Sequence, residues 1–413
     1  MKNCIKSLLA TTVLCCQFGA AYAACGIEKG NVSIIANDFP ALHAVVGAAE
    51  ACAGDGVTVS KNHTSEHKNL IVPALTANPA EYSVAIVANG TLVGLLNEGL
   101  VRPLDDYVAK YGSSLKKNQL ITIDGKVMAV AFMANAQHLF YREDVLQQAG
   151  VDVPNTYTEL LAAAEAIKAK GLMDHPISGT YKSGWNLAEE FVNMYLGHGG
   201  EFFKAGSAEP AVAGEKGITT LNMMKSLTEY MNPDFLTFDS NAVQAQWEAG
   251  NVALTNLWGS RAGAVLDAEG STPDIVAATR FAAAPSVGGE SGSASSLWWD
   301  GFTIAKNVSD EDAEASFQAM MNGVSLEMAS ANAEAATWLI DGAKPGVNSI
   351  GVAATAERGA EPYPMLPYMG LMHTALGNEI VEFLQGNESA EQALADVEAA
   401  YTTAAKEGGF ISN

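Results

Sequence analysis

The residues best able to carry out chemistry in this chain do not form a catalytic or metal-binding pattern. His63 and His67 are four residues apart, a spacing that on a helix could hold a metal ion. The polar residues around them predict a loop instead, so we expect no metal and no cofactor. The sequence also lacks glycine-rich phosphate loops, a nucleophile elbow and a paired-histidine zinc motif. With 46 acidic residues, no single carboxylate pair stands out, and glycan cleavage is only a secondary hypothesis.

The cysteines divide between a leader segment and the rest of the chain. Residues 1–23 combine Lys2 and Lys6 with an apolar stretch and a small-x-small site, which predicts a cleaved signal peptide. Cleavage leaves Cys25 and Cys52, and export to an oxidising compartment predicts a disulfide between them. A lipid anchor on Cys25 is the alternative, although the residues before it lack the usual branched aliphatic side chain.

Strand and helix patterns alternate along the chain and predict an α/β fold with a largely parallel sheet. The β-rich run at 127–141 is longer than one ordinary strand, so we expect it to pass between domains. A capping box is expected at the start of the helix that begins near Thr156. The clearest patterns are strands at 31–36, 57–59, 82–88 and 297–305, and helices at 157–170, 329–336, 377–385 and 390–406.

Composition excludes several classes of function. The net formal charge is −23 at pH 7 and no basic block occurs, so phosphate backbones and anionic lipid would be repelled. We therefore expect neither a nucleic-acid partner nor a membrane-surface partner. The same charge favours a soluble monomer.

Four segments carry motifs in a fixed order along the chain. They are residues 99–107 (GLVRPLDDY), 139–160 (beginning LFYREDVL and ending TYTEL), 248–260 (EAGNVAL, then GS) and 301–307 (GFTIAKN). Together they resemble the bacterial extracellular solute-binding proteins of ABC importers, in the branch that includes maltose-binding protein. The resemblance covers nearly all of the chain after residue 23.

The resemblance implies a type II-like fold of two α/β lobes, with a ligand cleft between them and hinge strands near 131–134, 283–285 and 344–349. The implied N-terminal lobe comprises 24–132 plus 286–344, and the C-terminal lobe 133–285 plus 345–413. The implied function is periplasmic capture of a carbohydrate or polyol by hinge closure, and its delivery to a membrane permease, without catalysis. A binding protein for a non-sugar organic anion is the alternative.

Candidates for ligand binding come from strand ends and from aromatic side chains, because sugars offer apolar ring faces and many hydroxyls. Neighbours in a strand point to opposite faces, so one of Trp298 and Trp299 can face the cleft while the other packs. Asn37 and Asp38 follow the first strand, where they could bind ligand or cap a helix. The full set is Asn37, Asp38, Asn89, Asn135, Trp185, Glu189, Trp258, Arg261, Trp298, Trp299, Asp300 and His373.

Two of these candidates depart from the pattern of the family. Arg261 stands where the family commonly has Trp, and it could bind sugar hydroxyls or pair with an anion. His373 lies near the place where maltose-binding protein carries an aromatic platform. Because of these departures, the sequence does not identify the sugar.

Overall fold

The computed structural model describes residues 24–288 and 292–412, so the predicted signal peptide at 1–23 lies outside the described residues. Its strands are β1 (Gly30–Ala36), β2 (Val57–His63), β3 (Val84–Ala88), β4 (Leu120–Ile123), β5 (Lys126–Asn135), β6 (Gln137–Arg142), β7 (Ile177–Ser178), β8 (Leu254–Trp258), β9 (Thr279–Ala282), β10 (Ser296–Ile304), β11 (Thr337–Trp338) and β12 (Glu361–Pro362).

Helices occupy most of the remaining described chain. They are α1 (Pro40–Glu50), α2 (His67–Thr76), α3 (Asn89–Asn97), α4 (Asp105–Tyr111), α5 (Glu143–Ala149), α6 (Tyr157–Ala169), α7 (Trp185–Gly197), α8 (Glu215–Thr228), α9 (Ser240–Glu248), α10 (Ala262–Val265), α11 (Pro273–Ala278), α12 (Asp310–Gly323), α13 (Leu326–Ala331), α14 (Asn348–Glu357), α15 (Met369–Glu379), α16 (Val381–Gln385) and α17 (Ala390–Glu407). Short 3₁₀ turns lie at Ala24–Gly26, Lys117–Gln119, Phe235–Thr237 and Gly259–Arg261.

The strands of the described residues form two sheets. The first has the order β11-β5-β10-β3-β1-β2, with β4 also paired to β5 and β12 to β10, and the second has the order β7-β8-β6-β9. The prediction of a largely parallel sheet is wrong. Strands β1, β2 and β3 run parallel, but β10 runs antiparallel to both β3 and β5. The reason is that β10 enters the first sheet after the chain has left the second one, so no local strand–helix–strand unit sets its direction.

Both faces of the first sheet are buried, as the continuous apolar strand β3 requires. Ile34 packs into the cluster that contains the apolar faces of α1 and α12, and the adjacent Ile35 packs on the opposite side with α2 and α3. A separate core in the second half joins α7, α8, α15 and α17. Helices therefore cover the sheet on two sides and leave the carboxyl ends of β1, β2 and β3 at one edge.

The chain passes between the two sheets at Ala136, which separates β5 from β6. The predicted crossing at 131–134 is two residues too early and lies inside β5. The other predicted crossings, 283–285 and 344–349, fall between β9 and β10 and at the start of α14. The lobe boundaries near these positions stay a prediction.

Three predicted local features agree with the structure to different degrees. The capping box is confirmed, since the Thr156 hydroxyl accepts a hydrogen bond from the Glu159 N–H at 3.1 Å. The loop expected around His63 and His67 is present but shorter, because it covers only 64–66, while His63 ends β2 and His67 begins α2. The helix expected at 329–336 stops at Ala331, because the following segment leads into the strand β11 on β5.

Other helix boundaries also move. The helix expected at 377–385 is two helices, α15 and α16, and α15 begins eight residues earlier than predicted. Across residues 24–288 and 292–412, every helix falls short of the length or apolarity needed to cross a bilayer.

Cys25 and Cys52 form a disulfide, as predicted. The bond links the turn at Ala24–Gly26 to the segment that follows α1, where Cys52 is buried. It closes a loop with a sequence separation of 27 residues. Because the bond lowers the conformational entropy of the unfolded chain, it raises the free energy of unfolding.

We expect the Cys25→Ser/Cys52→Ala double variant to lose about 3–4 kcal/mol of unfolding free energy, because the unfolded chain regains the freedom of that loop. Urea titration of both proteins measures the difference. Wild-type protein reduced with dithiothreitol should match the variant. Two titratable thiols in unfolded, unreduced protein would contradict the bond.

Candidate ligand cleft

Five rings from the two halves of the chain form an aromatic group, which comprises Trp185, Trp258, Trp298, Tyr363 and His373. The Trp298 ring centroid lies 5.6 Å from that of Trp185, 5.9 Å from that of Trp258 and 4.2 Å from that of Tyr363. The Trp185 and Trp258 rings are inclined by 29°, with centroids 6.4 Å apart. Trp185 and Trp258 keep part of their surface exposed, whereas Trp298 is 7% exposed. The group therefore has two partly exposed indole rings beside a buried one.

Trp185 is held in place by the packing of α7 against α15. Gly184, just before the helix, has φ +93°, a conformation that favours glycine, and its N–H donates to the Gly377 carbonyl at 3.0 Å. A Cβ on Gly377 would lie 2.3 Å from the Gly184 oxygen, so this approach requires glycine there. One turn earlier on α15, His373 stacks on the Trp185 ring at 4.9 Å and hydrogen-bonds to its carbonyl oxygen at 2.9 Å.

His373 is a support for Trp185 in this arrangement. Its second ring nitrogen lies 3.0 Å from the Tyr363 hydroxyl, so both nitrogens have protein partners. Burial lowers the pKa of His373 to about 3, and the ring is neutral at physiological pH. The direct ligand contact that the sequence predicts for His373 stays a prediction.

Glu189 is the buried carboxyl at the base of the aromatic group. Its Oε1 accepts hydrogen bonds from the Ser296 hydroxyl at 2.7 Å and from the Trp298 indole N–H at 2.9 Å. Its Oε2 is buried and has no hydrogen-bond partner among the described residues. Burial raises the pKa of Glu189 to about 8, and the hydrogen bonds and Lys68 only partly oppose that rise.

Lys68 interacts both with this carboxyl and with the carboxyl of Asp300. The Lys68 ammonium, from the first turn of α2, lies 2.8 Å from the centroid of the Trp185 ring. Burial lowers the pKa of Lys68 to about 7, while Glu189 and Asp300 act in the opposite direction. Burial likewise raises the pKa of Asp300 to about 7, against the effect of Lys68. The cleft thus holds one cationic and two acidic groups whose pKa values burial shifts toward the neutral forms.

Arg261 brings a second cation to the cleft from the turn after β8. Its Nη1 donates to Gln244 Oε1 at 3.3 Å, and its Cζ lies 5.9 Å from the ring centroid of Phe39. Phe39 adjoins Asp38, whose carboxylate lies 2.7 Å from His43 Nε2. Asp38 is exposed and does not cap α1, since the N-cap position is Phe39 without a side-chain bond. Arg261 and Lys68 therefore bring the two halves of the chain into contact at two places.

Several candidates are engaged with the backbone of the fold. Asn89 accepts a hydrogen bond from the Trp299 N–H at 2.9 Å, which ties α3 to β10. Asn135 accepts from the Ser260 N–H at 3.3 Å and donates to the Ser260 hydroxyl at 3.2 Å, which fixes the crossing point. The Asn37 side-chain oxygen accepts a hydrogen bond from the Asp38 N–H at 2.8 Å, and the Asn37 backbone carbonyl lies 3.0 Å from His63 Nδ1. Trp299 packs on the opposite side from Trp298, with the cluster of α2 and α3.

A cavity of about 480 Å³ adjoins the aromatic group. It is lined by Asn89, Leu297, Trp298, Trp299, Pro362, Tyr363, Pro364 and Met365. Within the part of the chain that the structure describes, no three His, Cys, Asp or Glu side chains are grouped to share a metal ion. This lining is mainly apolar and shares Trp298 and Tyr363 with the aromatic group.

Sequence reasoning missed Lys68 and Tyr363. Lys68 follows the carboxyl end of β2, which lies at the same sheet edge as the end of β1 because the two strands are parallel. That neighbourhood is the signal by which Lys68 could have been found. Tyr363 lies between two prolines in an irregular segment, and no periodic pattern points to it.

Two α/β lobes that meet at an aromatic site define a two-lobed ligand-binding fold. Residues 35–322 match the family of bacterial extracellular solute-binding proteins, and the chain belongs to that family. Its members bind solutes outside the cytoplasm, which implies a periplasmic or secreted location.

Solved structures of low sequence identity share the fold. A maltose-bound MalE3 from T. maritima has a TM-score of 0.79 and 16% identity, over 91% of this chain and 99% of that chain. A solute-binding protein from Agrobacterium radiobacter K84 in complex with ribitol has a TM-score of 0.79 and 19% identity, over 92% and 99%.

A curated relative is similar over a shorter stretch. The sn-glycerol-3-phosphate-binding periplasmic protein UgpB of Agrobacterium fabrum is 25% identical over 125 residues, which is 28% of this chain and 28% of that protein. UgpB of Rhizobium meliloti is 27% identical over 125 residues, again 28% of each. The matched part thus spans less than a third of these relatives.

We expect Glu189→Gln to remove a pH-dependent loss of stability. The folded-state pKa of about 8 exceeds the ordinary 4.5, so the native state binds more protons and stability falls as pH rises from about 4.5 to about 8. The loss is on the order of 4 kcal/mol for this buried group. Urea titrations at pH 5 and pH 8 measure it, with the exposed Glu407→Gln as control. An equal pH slope in Glu189→Gln and wild type would contradict the pKa.

Proposed function

We propose that this chain captures a neutral carbohydrate or polyol between its two lobes and delivers it to a membrane permease of an ABC importer. The aromatic group carries the proposal. Indole faces contact the apolar C–H faces of sugars, and the partly exposed Trp185 and Trp258 supply two such faces. Solved relatives of the same fold carry maltose, ribitol or D-mannitol, which supports this class of ligand.

The polar groups of the cleft suit hydroxyl-bearing ligands. Glu189 Oε2 and the Asp300 carboxyl can accept hydrogen bonds from ligand hydroxyls, and the Arg261 guanidinium can donate them. A ligand that contacts both halves stabilises the closed arrangement by those contacts. Hinge closure is the motion that the proposal requires.

The proposal assigns no catalytic residue to the chain. Glu189 Oε1 is already bonded to Ser296 and Trp298, so its role in the proposal is to hold β10 and receive ligand. The proposed location is the periplasm, reached through a cleaved signal peptide at residues 1–23. The proposed form in solution is a monomer, with the permease as its protein partner.

We expect Trp258→Ala to weaken ligand binding by about 1–3 kcal/mol, because one indole face is lost. A thermal-shift screen of maltose, ribitol, D-mannitol and related compounds first finds a ligand, since 100 times the dissociation constant adds about 2.7 kcal/mol of stability. Calorimetry then compares the variants. Trp338→Ala is the control, because Trp338 bonds to Asn332 outside the aromatic group. Unchanged affinity in Trp258→Ala would contradict its role as a platform.

An anionic ligand is the second candidate, and the two cleft cations favour it. Among the described residues, neither Lys68 nor Arg261 has a carboxylate oxygen within 4.0 Å. Two curated relatives are named for binding sn-glycerol-3-phosphate, which is an anionic compound. Glu189 and Asp300 oppose it only when ionised, since above their pKa values of about 8 and about 7 each carboxylate repels an anion near the aromatic group.

Arg261→Met separates the two candidates. For an anion, the loss of the charged partner should cost about 2–5 kcal/mol, and wild-type binding should weaken as salt rises. For a neutral sugar, the loss should be about 1.5–3 kcal/mol with little dependence on salt. We expect the second result from calorimetry at low and high salt. Arg280→Met is the control, because Arg280 is an exposed arginine paired with Glu143. Strong salt dependence that vanishes in Arg261→Met would overturn the sugar proposal.

A further inference from the structure

The Lys68 side chain covers one face of Trp185, one of the two partly exposed indole rings of the aromatic group. Its ammonium lies 2.8 Å from the Trp185 centroid, and α2 brings it there from the first lobe while α7 holds Trp185 in the second. A ring stacked on an indole needs about 3.5–4 Å between carbon atoms. The face of Trp185 that Lys68 covers therefore has no room for a sugar ring.

Of the two side chains, Lys68 is the one that can move. Trp185 is fixed by the stacked His373, by the hydrogen bond from His373 to its carbonyl, and by the close Gly184–Gly377 contact. Lys68 has a flexible four-carbon stem and lies in the first turn of a surface helix. A ligand that reaches Trp185 must displace the lysine.

The Lys68 ammonium is held only weakly in the cleft. Its ammonium makes no hydrogen bond to any residue in the described ranges, and it faces Glu189 and Asp300 only through longer-range attraction. Glu189 Oε2 is buried without a partner. Ligand hydroxyls could bond directly to these acceptors, which the ammonium does not do.

We propose, on the basis of the proposed function, that Lys68 is a built-in competitor for the cleft: its ammonium occupies the place of the ligand on Trp185, and ligand binds by displacing it. Lys68 thereby lowers the affinity of the protein for its ligand. Once the lysine has left, the exposed groups are an indole face and two carboxyls. This end of the cleft then selects an uncharged ligand that donates hydrogen bonds.

The test is Lys68→Ala, with Lys61→Ala as the matched control. Lys61 lies on β2 of the same lobe and pairs with Glu50, so both variants lose one positive charge but only one alters the cleft. We expect Lys68→Ala to bind the best probe among maltose, ribitol and D-mannitol about 3- to 30-fold more tightly than wild type. Lys61→Ala should bind like wild type. Weaker or unchanged binding by Lys68→Ala would show that Lys68 is not a competitor and would overturn the inference.

A second measurement follows the lysine itself. Reductive ¹³C-methylation labels the lysines of the wild type, and the resonance missing in Lys68→Ala identifies residue 68. We expect it to titrate near pH 7 in probe-free protein and to move toward the ordinary value of about 10.4 when saturating probe returns the ammonium to water. A value near 10 without probe, or no change with probe, would overturn the inference.

These readouts separate the inference from the function on which it rests. If no probe binds either wild type or Lys68→Ala, the proposed ligand class fails. The probe-free titration then decides on Lys68 alone, and a normal lysine titration would refute its position on Trp185.

Discussion

The hydrogen bonds from Ser296 and Trp298 to Glu189 connect the two halves of this molecule. Both donors lie at the start of β10, which continues into the first sheet between β3 and β5, while Glu189 lies on α7 in the other half. A single strand therefore anchors the first sheet to the helix that carries Trp185. Losing this connection would free β10 at its entry and would leave a buried carboxyl without donors, which is a costly arrangement in a protein interior.

The chain is strongly acidic, yet the cleft concentrates opposite charges in a small volume. Lys68 and Arg261 extend from different halves toward Trp185 and Phe39, respectively. Burial shifts the pKa values of Lys68, Glu189 and Asp300 toward neutrality, so each group is more weakly charged than it would be in water. Such groups bind hydroxyls with less desolvation penalty than fully charged ones, which suits a site that must release its ligand.

Much of this arrangement could be predicted from the sequence because it depends on local patterns. The capping box at Thr156 and the strand that contains Trp298 follow from neighbouring residues alone. The alternation rule also states that Trp298 and Trp299 face opposite sides, and the structure adds that Trp298 joins the aromatic group. The direction of β10 could not be predicted, because it depends on how the chain returns from the second sheet. Lys68 and Tyr363 were missed for the same reason, since contacts distant in sequence bring them to Trp185.

The residues that pack behind Trp185 and Trp298 lie in the C-terminal part of the chain. His373 and Gly377 on α15 hold Trp185 in place, and Tyr363 backs Trp298, whereas the family match extends over residues 35–322 only. Trp185 lies well before α14, and the residues that support it lie after the start of that helix. The platform and its support are therefore encoded in separate stretches, so exchanges within α15 would change how firmly Trp185 is held without replacing the indole itself.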